Sequence, residues 1–418
     1  MKRLLIFLLA AALLFCSACA LRPPSTTEPT LTSPATEPAS TTPEVTAAPQ
    51  APREVRAVWL SFYELTLPGG GLPRQAFERK YTAMFDTMAD FGINTLFVHV
   101  RPFCDALYPS ELYPWSEILT GRQGQNPGYD PLAILCDLAA PRGLALHAWI
   151  NPFRATRDDD LTKLAPGHPA LAHIRAKDGW VRQAENQGQY FWNPSLPETH
   201  GLICEGVREL LRRYPLAGIH IDDYFYPTTD EAFDRAQYED YRAGGGGLTL
   251  GDWRREAVSQ FVSGLYRTVK RENPQAIVSV SPMADIEKNY NVQYADVARW
   301  LREPGYADWM IPQLYFGFEN GSLPFKKTAD AWDKLPRQVG CGLIAGLAAY
   351  KTGQEDAWAG VGKAEWQTHG DVLARELEYA RGLGGYGGFA LYSYRGLFGE
   401  ALSDVAALER KNLQKLLD

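Results

Sequence analysis

The sequence predicts an α/β protein: a (β/α)8 barrel of the TIM type, with long loops at its C-terminal face and a disordered tether ahead of it. Three observations carry that prediction. Strand and helix patterns alternate eight times along the chain, which implies a parallel sheet with crossover helices, and eight is the number that closes. No GxGxxG follows the first strand, so the competing doubly wound sheet lacks its usual mark. Several strands also end in polar side chains at their carboxyl ends, the rim where barrel enzymes keep their chemistry.

Strands are expected at Val55 to Ser61, Asn94 to Arg101, Leu144 to Asn151, Gly218 to Tyr224, Ile277 to Pro282, Trp309 to Phe316, Val339 to Gly346 and Gly388 to Tyr394. Helices are expected at Phe77 to Phe91, Asp130 to Arg142, Thr199 to Tyr214, Trp253 to Glu272, Asp371 to Gly382 and Glu400 to Leu417. Asp130-Pro131 reads as a helix entry, with Asp as N-cap and Pro in the first turn. Gly92 stands where a helix stops before a strand. Long loops follow the second, third and fourth strands, at Pro102 to Tyr129, Pro152 to Pro197 and Phe225 to Asp252, all on the carboxyl side.

The chain divides into three parts. Residues 1–19 read as an export signal: Lys2 and Arg3, then an apolar run from Leu4 to Phe15 that is short for a membrane span. Cys16-Ser17-Ala18-Cys19 resembles a bacterial lipoprotein box with Cys19 as the lipidated residue, although Cys16 replaces the usual Leu; simple secretion after cleavage at a small residue is the alternative. Acyl chains on Cys19 would anchor the protein to a membrane, outside the cytoplasm. Residues 20–53 are Pro, Thr, Ser, Ala and Glu, with too little apolar surface to offset the entropy of ordering. Residues 54–418 form the predicted barrel domain. The formal charge of −7 and the lack of a basic run argue against nucleic acid as a partner. Cys104, Cys136, Cys204 and Cys341 are widely spaced, without zinc-type spacing; they read as small buried hydrophobes, with room for one disulfide. No motif specifies a cofactor or a metal.

The most informative stretch is Gly218-Ile-His-Ile-Asp-Asp-Tyr-Phe-Tyr-Pro227. On an alternating strand His220 and Asp222 share one face and Ile219 and Ile221 the other. The same period puts Arg101 with His99 on the second strand. His147, Trp149 and Asn151 fall together on the third, Ser279 and Ser281 on the fifth, and Gln313 and Tyr315 on the sixth. Buried polar groups are costly unless paired, so a polar rim implies a purpose. Sugar hydrolysis is the chemistry expected, because it needs two carboxyl groups at one bond. Asp222 is the first; Asp223 points the other way on an ideal strand, and a bulge would turn it inward. Glu64, Asp105, Asp285 and Glu319 are candidates for the second. Glu319 is preferred, because the aromatic stretch before it would desolvate its carboxyl and raise its pKa. Arg101, Asn151, Arg154, Asn193 and Gln313 are expected to hydrogen-bond sugar hydroxyls. Tyr63, Trp149, Trp192, Tyr224, Tyr226, Tyr315 and Tyr392 are expected to offer ring faces, about half of that group being core instead. Asp105, His147 and His220 complete the expected substrate contacts.

Val55 to Leu60, Asn94 to Arg101, Ala148 to Pro152 with Arg154, Gly218 to Pro227, Ser279 to Pro282 and Ile311 to Tyr315 together resemble the bacterial glycosyl-hydrolase-like family 10. The resemblance covers residues 54 to about 400. It implies a secreted or lipid-anchored (β/α)8 enzyme acting on a cell-envelope polysaccharide, with peptide-free peptidoglycan strands as the substrate class. It places the family's acidic pair on Asp222 and Asp223, its asparagine on Asn151 and its glutamine on Gln313. The fourth strand is also similar to the chitinase signature Asp-x-Asp-x-Glu, but His220 stands where an acid would and no Glu follows Asp222. The substrate-assisted mechanism is therefore not carried over. Two other readings fit the ends of the chain: a glycan-binding lipoprotein on the same barrel, and a solute-binding lipoprotein. The second of these predicts two lobes, against eight regular units.

Overall fold

A computed structural model describes residues 54–184 and 187–418. The export segment, Cys19 and the tether lie outside the described residues. Among the described residues ten strands follow one another: β1 (Val55–Leu60), β2 (Thr95–Arg101), β3 (Ala145–Ile150), β4 (Val181–Gln183), β5 (Tyr190–Trp192), β6 (Gly218–Ile221), β7 (Ile277–Val280), β8 (Trp309–Met310), β9 (Gly342–Leu347) and β10 (Tyr386–Leu391). Eight of them close a parallel barrel in the order β1-β10-β9-β8-β7-β6-β3-β2, while β4 and β5 pair as a separate antiparallel hairpin. The (β/α)8 expectation therefore holds.

The period of two sorts each strand's residues into two cores. Ala57, Trp59, Phe97, Trp149, Ile311, Ile344 and Ala390 fill the barrel, whereas Val58, Leu60, Leu96, Val98 and Val100 face the helices. His220 is also inside, fully buried. Indole N–H only donates, so Trp59 Nε1 at 2.9 Å makes His220 Nε2 an acceptor; its proton then sits on Nδ1, 2.8 Å from Ser279 Oγ. Burial holds this imidazole well below its ordinary pKa, so it stays neutral. Gly218 leaves room for His147, whose Nδ1 would lie 2.5 Å from a Cβ there.

Local signals act as expected. Asp130 accepts the Ala133 N–H at 3.0 Å and caps the helix Pro131–Ala139. Gly92, at φ +87°, turns the chain out of the helix Arg74–Asp90. Boundaries move where backbone pairing decides them. β6 stops at Ile221, so Asp222 is the first residue beyond it. β8 keeps two residues, because Pro312 has no N–H for the ladder. β9 begins three residues after the exposed Val339. The hairpin β4–β5 orders part of what was expected to be a plain loop. Cys104, Cys136, Cys204 and Cys341 are buried and free. Among the described residues no helix is long and apolar enough to cross a membrane, and no cluster of three metal-binding side chains occurs.

One buried ion pair fixes the loop after β6. Arg254, on the helix Leu250–Glu272, donates Nε to Asp234 at 2.9 Å, Nη1 to the Tyr294 hydroxyl at 3.1 Å and Nη2 to Asp230 O at 2.8 Å. Tyr226 also donates to Asp234, so this tyrosine is tied into the core instead of facing a sugar. Both charges are fully buried. Asp234→Ala should therefore destabilise the domain by roughly 3–5 kcal/mol in denaturant unfolding, because it strands a buried guanidinium; a loss below about 1 kcal/mol would contradict that role.

Candidate active site

Asp222 sits at the mouth of the barrel, 5% exposed, with donors on both oxygens. Trp149 Nε1 reaches Oδ2 at 3.1 Å, and Asn151 Nδ2 reaches Oδ1 and Oδ2 at 3.1 Å each. Both donors come from the end of β3, the strand that pairs with β6. Trp149 is held in turn by stacking on His99, ring centroids 3.7 Å apart. Asn151 Oδ1 accepts the backbone N–H of Arg154 at 3.0 Å.

Asp223 follows Asp222, half-buried and facing the cleft beside Gln313, whose Nε2 also donates to Ser281 O at 3.1 Å. Loss of water raises both carboxyls. Asp222 is pushed up to about 7, chiefly by burial and further by the charge on Asp223, against the pull of Arg154 and the two donors. Asp223 is also raised by burial, with Gln313 pulling the other way. Two adjacent carboxyls in a dry site lose their protons as one coupled unit.

The cleft beside Asp223 measures about 690 Å³. Tyr315, Tyr350 and Trp358 line it, with Asp285, Lys288 and Asp356. Tyr392 lies 5.7 Å from Tyr315, nearly parallel to it, and 5.8 Å from Tyr350. Trp358 is 91% exposed, an unusual state for an indole and a ready platform for a sugar face. Tyr350 and Trp358 were not anticipated. Both lie in the loop after β9, where the only signal in the sequence was a Trp among polar residues.

The structure gathers Trp149, Asn151, Asp222, Asp223, Gln313 and Tyr315 at this mouth, and Arg154 and Tyr224 on its other side. It removes six expected residues. A register shift between His99 and Arg101 turns Arg101 away, and its guanidinium binds Asn151 O at 2.6 Å and Pro152 O at 3.1 Å over the Tyr113 ring. His147 is stacked on Trp309 deep in the barrel, and His220 has both nitrogens engaged below the rim. Asn193 is fully buried, tying Gly179 O to the Ser195 turn. Asp105 is buried under its own loop near Gln123, and burial raises it to about 6. Glu319 is exposed and does not line the cleft, because its backbone N–H and that of Phe318 are held by the buried carboxylate of Glu365 at 2.9 and 3.1 Å. Two further candidates are also spoken for: Glu64 caps its own helix through Ser61, and Asp285 caps the helix Ile286–Asn291. Trp192 is core.

A closed parallel barrel with an acid pair and aromatic walls at its carboxyl end defines a glycoside-hydrolase-type barrel. The chain belongs to the glycosyl hydrolase-like 10 family, whose model matches residues 54–360. It is 34% identical over 356 residues to glycosyl hydrolase YngK of Bacillus subtilis, covering 80% of this chain and 68% of that one. It is 30% identical over 405 residues to glycosyl hydrolase DigH of Escherichia coli K12, covering 89% and 88%. Among solved structures it resembles the PgaB glycoside hydrolase domain of Bordetella bronchiseptica (TM-score 0.57, 15% identity, 85% of this chain and 98% of that one). It also resembles α-L-fucosidase isoenzyme 2 of Paenibacillus thiaminolyticus (TM-score 0.54, 15% identity, 87% and 49%). At those identities the likeness is one of fold.

Because Asp222 is neutral more readily folded than unfolded, its burial costs stability as pH rises from about 4 to about 7 and no further above that. Asp222→Asn should escape this penalty. Thermal unfolding should show the variant gaining on the wild type across that window, by roughly 1–3 kcal/mol at pH 7.5. Parallel stability curves from pH 4 to 8 would contradict the raised pKa.

Proposed function

We propose that the protein is a cell-envelope glycoside hydrolase that cleaves peptide-free peptidoglycan strands, held outside the cytoplasm by lipid on Cys19. The observation that carries the catalytic part is the Asp222–Asp223 pair, raised by burial and set beside an aromatic cleft. The family membership and the names of its relatives support the reaction class. The first 19 residues support the location.

In this reading the pair holds one proton near neutral pH. Asp222, the more deeply buried member, carries it, and the charge on Asp223 helps to hold it there. Asp222 gives that proton to the leaving oxygen as the bond from the anomeric carbon breaks. The Asp223 carboxylate, which faces the cleft, stabilises the positive charge that develops on the sugar ring, and water supplies the new oxygen and returns a proton to the pair. Tyr315, Tyr350 and Trp358 hold neighbouring sugars by their faces.

Digestion of purified glycan strands, with and without peptide stems, followed by mass analysis of the fragments, tests this. Products are expected from the stripped strands. Binding without product would leave a glycan-binding lipoprotein on the same barrel. Asp222→Asn and Asp223→Asn should each lower kcat by roughly 10²–10⁴-fold with the fold intact; a variant that turns over normally would take its residue out of the mechanism. Activity should also fall as pH rises through about 7, where the shared proton is lost. A rate that keeps rising to pH 9 would exclude the pair as proton donor.

A further inference from the structure

We propose that Arg154 is a receptor for a carboxylate carried by the glycan, so that the site selects an acidic sugar on one side of the Asp222–Asp223 pair and an uncharged sugar on the other. This rests on the hydrolase reading above and adds the substrate's charge pattern to it.

Arg154 is only 9% exposed. Its backbone is fixed by the N–H bond to Asn151 and by an antiparallel bridge to Phe191. Its guanidinium lies flat on Tyr224, 3.4 Å from the ring centroid, with Phe103 at 5.6 Å. Yet Nε is buried without a partner, and among the described residues the side chain makes no hydrogen bond or ion pair. Two other arginines show the contrast. Arg254 has Asp234 and three further oxygens. Arg157, on the same loop as Arg154, has Glu117 at 2.6 Å. A buried guanidinium with its donors unspent is costly unless something else completes it.

The Asp222–Asp223 pair does not complete it. Arg154 is near enough to pull both carboxyls down in pKa, but neither lies in ion-pair contact with it, and both remain raised. Its planar fork, oriented by Tyr224, matches the two oxygens of a carboxylate. The far side of Asp223 has the opposite character. Asp285, Glu355 and Asp356 line the cleft there; Lys351 is taken by Asp356 at 2.6 Å, and Lys288 stands 3.8 Å from Asp285. Lys363 likewise stands 3.6 Å from Glu355, so an anionic sugar would meet only lysines already paired with acids on that side, whereas an uncharged one would stack on the tyrosines. In a strand where carboxylated and uncharged sugars alternate, only one of the two linkages can then be placed over the acid pair.

The full-length protein can be tested on three probes: peptide-free peptidoglycan strands, the same strands with their carboxyl groups reduced, and a polymer alternating a uronic acid with an N-acetylated sugar. The native strands should be cut with kcat/KM about 10- to 100-fold above the reduced ones, and every fragment should carry the same sugar at its reducing end. Cleavage of the uronic polymer instead would assign the carboxylate to a uronate and equally support the receptor. Arg154→Gln should bring the native-to-reduced ratio to within about threefold, and Arg154→Lys should keep part of it as a point charge. Equal cleavage of native and reduced strands by the wild type, or fragments ending in both sugars, would overturn the proposal without any variant. If the wild type cuts nothing, the hydrolase reading fails on its own. The ratio of Kd values for the two strands then decides on Arg154, with a preference for the native strand supporting it and equal values overturning it.

Discussion

Asp222 leaves the end of β6 with an N–H aimed at each of its oxygens, and most of the barrel mouth is arranged to keep it so. A carboxyl taken out of water must be neutral, paired or hydrogen-bonded. Here it is hydrogen-bonded by the neighbouring strand and coupled to a second acid. Trp149 can serve only because its ring is pinned on His99, and Asn151 only because its other amide end is occupied by Arg154 N–H. The support is thus a chain of short contacts running from inside the barrel out to the rim.

Below that rim the barrel interior is partly polar, with His99, His147, His220 and Ser279 among its buried side chains. Trp59, His220 and Ser279 form a run of hydrogen bonds across three strands, and Phe97 stacks on the imidazole at 4.2 Å. These residues form a rigid floor. Around it, the long loops are fastened separately: the loop after β6 by Arg254 and Asp234, the loop after β8 by Glu365, and the segment after β1 to the segment after β10 by Glu64 and Ser393 at 2.5 Å. Anchored loops let aromatic side chains such as Trp358 remain exposed at the cleft without collapsing onto the core.

The mouth is also electrically uneven. The acids on the side of β7 to β9 are each paired with a lysine, whereas Arg154 on the side of β3 and β6 has no acid in ion-pair contact. A linear polymer crossing such a site meets different fields before and after the acid pair, and charge then becomes a means of setting register as well as affinity.

Much of this was legible in the chain itself. Eight strand–helix units, the Asp130 cap, the Gly92 stop and the acidic pair at a strand exit all follow from periodicity and local chemistry, which act over a few residues. Alternation also brought Trp149 and Asn151 to the right face. It failed at Arg101, because a register shift in β2 breaks the period it relies on. It failed at Glu319, because the carboxylate that occupies the apolar turn there is Glu365, 46 positions away. Only the tertiary structure decided which groups hold Asp222, which sit 71 and 73 positions from it. It also decided which aromatics stay in water and that, of the buried arginines Arg101, Arg154 and Arg254, Arg154 has no side-chain hydrogen bond among the described residues. Those outcomes depend on contacts between distant segments, and no local pattern encodes them.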